Sequence, residues 1–469
     1  MKKMIYLSTL FVGVFFLITS AWAYQPFPDT GQTKCYDNYE EITCPQPGQP
    51  FYGQDGHYQP RLPRSYSKLG YGGTVLADSA LHVDNGGPWI MTRDNVTGLI
   101  WEVKREDGLQ SKNNTYSWYD PNPETNGGDA GTQDGGSCTG TQCDTYSYIQ
   151  ALNAQSFGGF SDWRLPSVKE LSSLANRGVF SPPIDTAWFP KTVLSAYWSS
   201  TTYGSYASAA LYVCFSFVGS VHGLSKSYSY YVRAVRAGND SVFTNFIDNG
   251  DDTVTDTETG QMWQKETAPG SYTWQQALEY AENLTLAGYS DWRLPNINEL
   301  QTLVDYSSYN PAIYPVFRIH TVLGNYWSST TYANSPHTAW RVNFSSGHAG
   351  GFKKSHNYYY VRDYVRVVRS GHSDIGQFGS LVFYMEPQGA VNAGAQWRRK
   401  GTSIWYDSGF TETKVPVGTY TIEFKVVPGW RPEETITVTV EADKKAIGTG
   451  SYFEQTTALP GVMMLLLDE

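Results

Sequence analysis

The sequence predicts an α+β chain in which one domain is used twice and a small all-β sandwich follows. Three observations predict it. The first is a duplication. Asp162-Trp163-Arg164-Leu165-Pro166 returns as Asp291-Trp292-Arg293-Leu294-Pro295, and Tyr197-Trp198-Ser199-Ser200-Thr201-Thr202-Tyr203 returns as Tyr326-Trp327-Ser328-Ser329-Thr330-Thr331-Tyr332, both offset by 129 positions. Solenoid units repeat every ~20–50 residues, so this period marks a duplicated domain. The second is a set of helix-start signals at matching places in both copies, among short strands rich in aromatic residues. The third is a run of alternating strands between Pro and Gly turns near the C-terminus.

The elements follow in chain order. Lys2 and Lys3 precede an apolar stretch from Met4 to Ile18, and Ala21-Trp22-Ala23 offers a small-x-small cleavage site, so residues 1–23 read as a signal peptide. The stretch is shorter than the ~20 residues that a membrane span needs. Residues 24–70, rich in Pro, Gln, Gly and Tyr, read as a loosely structured leader. Copy one spans 71–238 and copy two 242–371, then comes a sandwich over 378–453 and a tail over 454–469.

In copy two a hairpin is predicted from Phe246 to Trp263, turning at Asn249-Gly250-Asp251-Asp252. A helix is expected over Trp274–Ala287, capped by Thr273, and in copy one over Thr145–Ala154, capped by Asp144. A second helix starts after each Asp-Trp-Arg-Leu-Pro block. Ser167 with Glu170, and Asn296 with Glu299, have capping-box spacing, and Leu171, Leu174, Leu300 and Leu303 share a face. Only copy one carries an insert, Asp120 to Asp144.

Each copy closes on paired arginines, Arg233 with Arg236 and Arg366 with Arg369. Side chains alternate along a strand, so residues three apart face opposite sides. One arginine of each pair is expected inside, with Glu170 or Glu299 as partner, and the other in solvent. The last region reads as antiparallel strands at Ser380–Phe383, Ala395–Arg398, Tyr420–Phe424 and Thr435–Val440.

Composition narrows the function classes. The formal charge is −10, and signal cleavage would remove two lysines, so a nucleic-acid partner is not expected. Aromatic residues reach 15% and charged ones only 17%, which fits an exported β-rich protein. Cys35 lies near Cys44 and Cys138 near Cys143, which suggests two local disulfides, with the two other pairings open. Cys214 stands in an apolar strand and reads as a buried thiol.

Three residue groups are candidates for chemistry. Arg341, Lys353, Lys354 and His356, with Tyr358 beside them, would suit an anionic sugar, charge holding the acid group and a ring stacking on the pyranose. The competing reading is an ordinary exposed edge strand. Asp248, Asn249, Asp251, Asp252 and Asp256 form a candidate calcium site, against the reading of a solvated hairpin turn. Trp163, Arg164, Trp198, Trp292, Arg293 and Trp327 read as structural, because both copies keep them while their loops diverge. No other cofactor is expected.

The motif order resembles a known family. Asp-Trp-Arg-Leu-Pro before a Glu-Leu helix, then Tyr-Trp-Ser-Ser-Thr, then the closing Val-Arg-x-Val-Arg, is similar to the Lcl C-terminal domain, named for the terminal domain of the Legionella collagen-like adhesin. The Asp248-Asn249-Gly250-Asp251 hairpin through Trp263 fits its opening. The resemblance implies a C-type-lectin-like fold, related to that of formylglycine-generating enzymes, and the founding adhesin is associated with sulfated glycans. Those enzymes use a pair of active-site cysteines. Copy two has no cysteine, and copy one has only Cys214 in its core strands. Pro387-Gln388-Gly389-Ala390 and Gly418-Thr419-Tyr420 resemble a PEGA-type β-sandwich module. The expectation is an exported, non-catalytic protein of adhesion or surface recognition, secreted, periplasmic or at the cell surface. Its partner would be a glycan or an extracellular protein, with no transmembrane segment in the mature chain. The rival is an extracellular assembly protein that works through protein contacts, including self-association.

Overall fold

The computed structural model describes residues 27–455, except 59–62, 217–218, 238–245, 357–358, 370–377, 401, 403–404, 417 and 442–443. The expected signal peptide, Tyr358, the linker after Arg369 and nearly all of the tail lie outside the described residues. The chain is β-rich, and no helix among the described residues is long and apolar enough to cross a membrane.

Each copy is built the same way. A small four-stranded sheet opens it, and the closing strand returns to that sheet. In copy one Val235–Arg236 pairs with Ile100–Glu102; in copy two Val368–Arg369 pairs with Met262–Gln264. Helices α1 (Thr145–Ala154) and α2 (Val168–Ser173) belong to copy one, α3 (Trp274–Asn283) and α4 (Ile297–Thr302) to copy two. Asp144 and Thr273 cap α1 and α3, and both expected capping boxes are formed at α2 and α4. Leu171, Leu174, Leu300 and Leu303 are fully buried. Helix α3 ends four residues before the expected Ala287. Leu284 is already extended, and Ala287 and Gly288 take positive φ to bridge Leu286 to Tyr289, which ends the helical ladder.

The copies are joined through a sheet. Strands Ala196–Thr202, Ala209–Cys214 and Ser220–Ser225 of copy one meet Ala349–Lys353, Thr338–Asn343 and Asn325–Thr331 of copy two in one six-stranded sheet, with Val221 opposite Ala349 at the seam. The largest apolar cluster draws on both copies, including Leu171 and Leu174 with Leu300, Leu303, Trp340 and Phe344. Lys169 Nζ reaches the Thr302 carbonyl across the α2–α4 contact at 3.1 Å.

The Asp-Trp-Arg-Leu-Pro block is a junction. Its Arg forms a two-pronged ion pair with the capping-box Glu, Arg164 with Glu170 (2.8 and 2.6 Å) and Arg293 with Glu299 (2.7 and 2.6 Å). Its Asp holds the second closing arginine, Asp162 with Arg236 and Asp291 with Arg369. Its Trp donates to a carbonyl, Trp163 to Phe157 and Trp292 to Tyr289. One motif therefore ties the second helix to the closing strand.

This corrects the arginine assignment. Glu170 and Glu299 pair with Arg164 and Arg293, not with the inward closing arginine. Arg233 instead donates to the Glu102 carbonyl (2.7 Å) and Thr192, and Arg366 to the Lys265 and His320 carbonyls (3.0 and 2.9 Å). A motif arginine six residues from the Glu, held at the same turn, reaches it first. Nor does Arg369 face open solvent: it is buried over the Tyr289 ring.

The two sites predict unequal losses. Arg366→Ala removes donors from two carbonyls and leaves a cavity beside Phe317, an expected loss of about 3 kcal/mol. Arg369→Ala breaks a pair whose carboxylate is well exposed, an expected loss of about 1 kcal/mol. Urea unfolding of both variants checks this.

The loose leader expected over 24–70 is corrected at its end, where Tyr66–Leu69 is a strand of copy one's opening sheet, paired with Met91–Asp94; residues 27–58 hold little regular structure but are bonded at many points. Cys35–Tyr36 pairs with Glu41–Ile42, and the Cys35–Cys44 disulfide closes that loop.

The C-terminal region has two four-stranded sheets around one core that includes Phe383, Trp397, Ile422, Phe424 and Tyr452. It is not wholly antiparallel as expected. Phe378–Glu386 and Lys445–Glu454, the first and last strands, pair in parallel, Leu381 beside Ala446. A parallel pair has no connecting hairpin, so no local turn signal announces it.

Candidate functional site

The site grows from a Tyr-x-Trp segment that runs directly into the first helix in copy two, Trp274 being the first residue of that helix, and is parted from the first helix by the insert in copy one. In copy one Trp118 donates to the Ser199 carbonyl, and the Tyr116 carbonyl accepts from Trp198. In copy two Trp274 donates to Ser328, and the Tyr272 carbonyl accepts from Trp327. Trp198 and Trp327 thus fasten this segment to the Tyr-Trp-Ser-Ser strand. Each Tyr meets a helix tyrosine, Tyr116 with Tyr148 of α1 at 4.7 Å and Tyr272 with Tyr280 of α3 at 5.1 Å between ring centres. A lysine ammonium lies over each Trp, Lys226 over Trp118 at 4.0 Å and Lys354 over Trp274 at 3.6 Å.

The copies differ in what covers this unit. In copy one the insert covers its Trp118–Lys226 part, while Tyr116 and Tyr148 are closed by Leu109, Asn114, Glu102 and Lys104. Lys226 Nζ donates to the Asn126 and Asp129 carbonyls (2.8 and 2.6 Å), and Ser229 holds the Gly135 carbonyl (2.7 Å). The Cys138–Cys143 disulfide closes the far end of the insert. Tyr116 and Tyr148 are both fully buried.

Copy two has no insert, and its tyrosine pair stays open. Tyr272 and Tyr280 line a cavity of about 530 Å³ with Gln276, Glu279, Asn283 and Arg362. The turn at Pro269-Gly270 shapes one wall, and Tyr272 donates to the Pro269 carbonyl. Arg362 is exposed, and its Nη1 donates to the Ser271 carbonyl at 3.0 Å, which directs the guanidinium along the rim. Arg362 stands where copy one has Ser229. Tyr280 is anchored by Gln264 Nε2 on its hydroxyl at 2.9 Å. The result is a shallow, ring-walled cavity with amide, carboxylate and guanidinium groups at its edge.

The profile of the Lcl C-terminal domain matches residues 90–236 and 252–369, more than half of the chain. The chain belongs to the Lcl C-terminal domain family. This is an adhesin-type family, and with two disulfides it fits an extracellular or surface protein. No curated protein matches the chain.

The residues proposed from sequence are not gathered into one site in the second Lcl copy. Lys353 is exposed, but Lys354 beside it is buried, its Nζ donating to the Asp37 carbonyl (2.8 Å) and Thr331 Oγ1 (3.1 Å). Burial holds its ammonium well below the usual lysine range. Lys354 is thus a core group, not part of a surface basic patch. The strand Ala349–Lys353 ends one residue earlier, and the bend after it carries Lys354 inward. Arg341 lies over the Phe352 ring and pairs with Asp363 at 2.9 Å. His356 lies in a two-residue strand opposite Tyr359.

The acidic turn of the second copy spends its oxygens locally. Asp248 pairs with Lys265, Asp251 accepts from Thr253, and Asn249 bonds Thr253 and Thr255. Asp256 is buried and caps the turn at Glu258, and burial pushes its carboxyl up to about 6. Asp252 takes positive φ at the turn tip. No group of three or more His, Cys, Asp or Glu side chains among the described residues is placed to hold a metal ion. Cys214 is a free, buried thiol.

Tyr272, Tyr280 and Arg362 were not singled out in the sequence. The signal present was the Pro269-Gly270 turn directly before the Thr273 cap, together with the missing insert. Their spacing over 90 residues hid the convergence.

Proposed function

We propose that the chain is an exported recognition protein of adhesion type, without catalysis, whose second Lcl copy takes a saccharide in the Tyr272–Tyr280 cavity. The observation that supports this is the open tyrosine pair with Arg362 at its rim. Tyrosine faces stack on the CH groups of a pyranose, and amides, Glu279 and a guanidinium serve its hydroxyl and acid groups. The fold of each copy is read as C-type-lectin-like, with residues 1–23 directing export. No metal is required in this reading.

A glycan array on the mature chain tests it. The expected result is saccharide binding that falls at least tenfold in Tyr272→Ala and in Arg362→Ala, with unfolding midpoints near wild type because both side chains are partly open. Binding unchanged by both substitutions would sink the proposal. So would an empty array from a correctly folded chain.

A further inference from the structure

The copy-one insert and the N-terminal leader do the same work at equivalent places, although they share no position in the repeat. In copy one the insert lays the Asn126 and Asp129 carbonyls on Lys226, and Thr202 Oγ1 donates to Asn126 (3.2 Å). In copy two the leader lays the Asp37 carbonyl on Lys354 (2.8 Å), and Gln32 exchanges two bonds with the backbone of Thr331 (2.7 and 2.9 Å). Thr331 is the repeat counterpart of Thr202.

The leader extends the contact further. Asp55 accepts from Thr330 Oγ1 at 2.7 Å, Asn298 Nδ2 reaches the Pro28 carbonyl at 2.9 Å, and Phe51 packs near the Trp274 ring. Tyr58 donates to Glu282 of α3 at 2.6 Å. Yet the leader is joined in sequence to copy one. Its continuation, Arg64, already donates to the Ser173, Leu174 and Ala175 carbonyls of that copy.

We infer that the Trp274–Lys354 face of copy two is a docking site for a separable peptide segment, residues 27–58, which a second copy of this chain can supply as well as the first. A buried ammonium needs carbonyl or carboxylate partners, so this face must be covered. Copy one covers it with contiguous chain; copy two receives its cover from outside its own limits. The contacts are the same whether the segment comes from the same chain or another, which is the condition for segment exchange between protomers. The Cys35–Cys44 loop holds part of the segment in shape before docking, lowering the ordering cost.

The test uses the full mature chain with a protease site replacing residues 59–62. After cleavage the leader is expected to co-elute with the body on size exclusion. A fluorescent peptide 27–58, with its disulfide formed, is expected to exchange into the cleaved protein and to be competed out by unlabelled peptide. The same peptide carrying Gln32→Ala and Asp55→Lys is expected to bind at least thirtyfold more weakly. Because the substitutions sit in the peptide, the body keeps its fold in every arm. Loss of the leader as free peptide on cleavage would overturn the inference, as would failure of the labelled peptide to enter or equal binding of the substituted peptide.

Discussion

Glu299→Ala is expected to destabilise the chain by roughly 3–5 kcal/mol, the range for breaking a buried ion pair from one side. Glu299 serves three groups at once. It takes both guanidinium arms of Arg293, accepts from the Asn296 backbone as the return half of the capping box, and accepts from Gln261 Nε2 at 2.6 Å. Removing it leaves Arg293, mostly but not fully shielded over Tyr58, without a carboxylate and opens the first turn of α4. Glu170→Ala in copy one supplies an internal replicate, with a somewhat smaller expected loss because Arg164 is more exposed than Arg293. Thermal and urea unfolding read both. Losses below about 1 kcal/mol in both variants would show that the Asp-Trp-Arg-Leu-Pro junction does not fasten the second helix to the closing strand in each copy.

The second large effect is a pH dependence at Asp55. Burial, with the nearby charges of Asp29 and Glu299 adding to it, pushes this carboxyl from 3.8 up to about 7, against the opposing hydrogen bonds from Thr330 and Thr30. A raised acid pKa in the folded state means that the folded chain binds the proton more tightly than the unfolded one. The contribution of Asp55 is therefore most favourable below pH ~4 and is lost as pH rises through about 7. At pH 8 the charged form costs on the order of 4 kcal/mol, at ~1.4 kcal/mol per pKa step. Asp55→Asn keeps an acceptor for both threonines and removes the charge. The expected outcome is a variant more stable than wild type by about 1–3 kcal/mol at pH 8, with the advantage vanishing near pH 4. A difference that is constant with pH would contradict the burial of this carboxyl.

Local signals carried much of the fold. The helix caps at Asp144, Thr273, Ser167 and Asn296 are short-range hydrogen-bond patterns, and each formed at the residue that announced it. The Asn249-Gly250 turn and the two short disulfide loops are equally local. What the sequence hid is non-local. The Val221–Ala349 seam, the parallel first and last strands of the C-terminal region, and the partners of Arg233 and Arg366 depend on residues 41 to 131 positions away. The basic stretch misled for a different reason: Lys353 and Lys354 are adjacent in sequence, but the strand ends at Lys353 and the bend after it carries Lys354 under the leader. The leader's role was hidden too, because its polar composition resembles that of a tether, and only its contacts show a cover for copy two.

The central claim is that the Tyr116–Tyr148 contact of copy one is closed, whereas the Tyr272–Tyr280 contact of copy two, whose helix tyrosine stands one turn further along, is open as the recognition site. Hydroxyl-radical footprinting of the mature chain, with and without the tightest saccharide found on the array, measures it directly. The account predicts fast modification of Tyr272 and Tyr280 in the free protein, protection of both when the saccharide binds, and slow modification of Tyr116 and Tyr148 in either state. Equal reactivity of the two pairs, or ligand protection confined to tyrosines elsewhere, would contradict it.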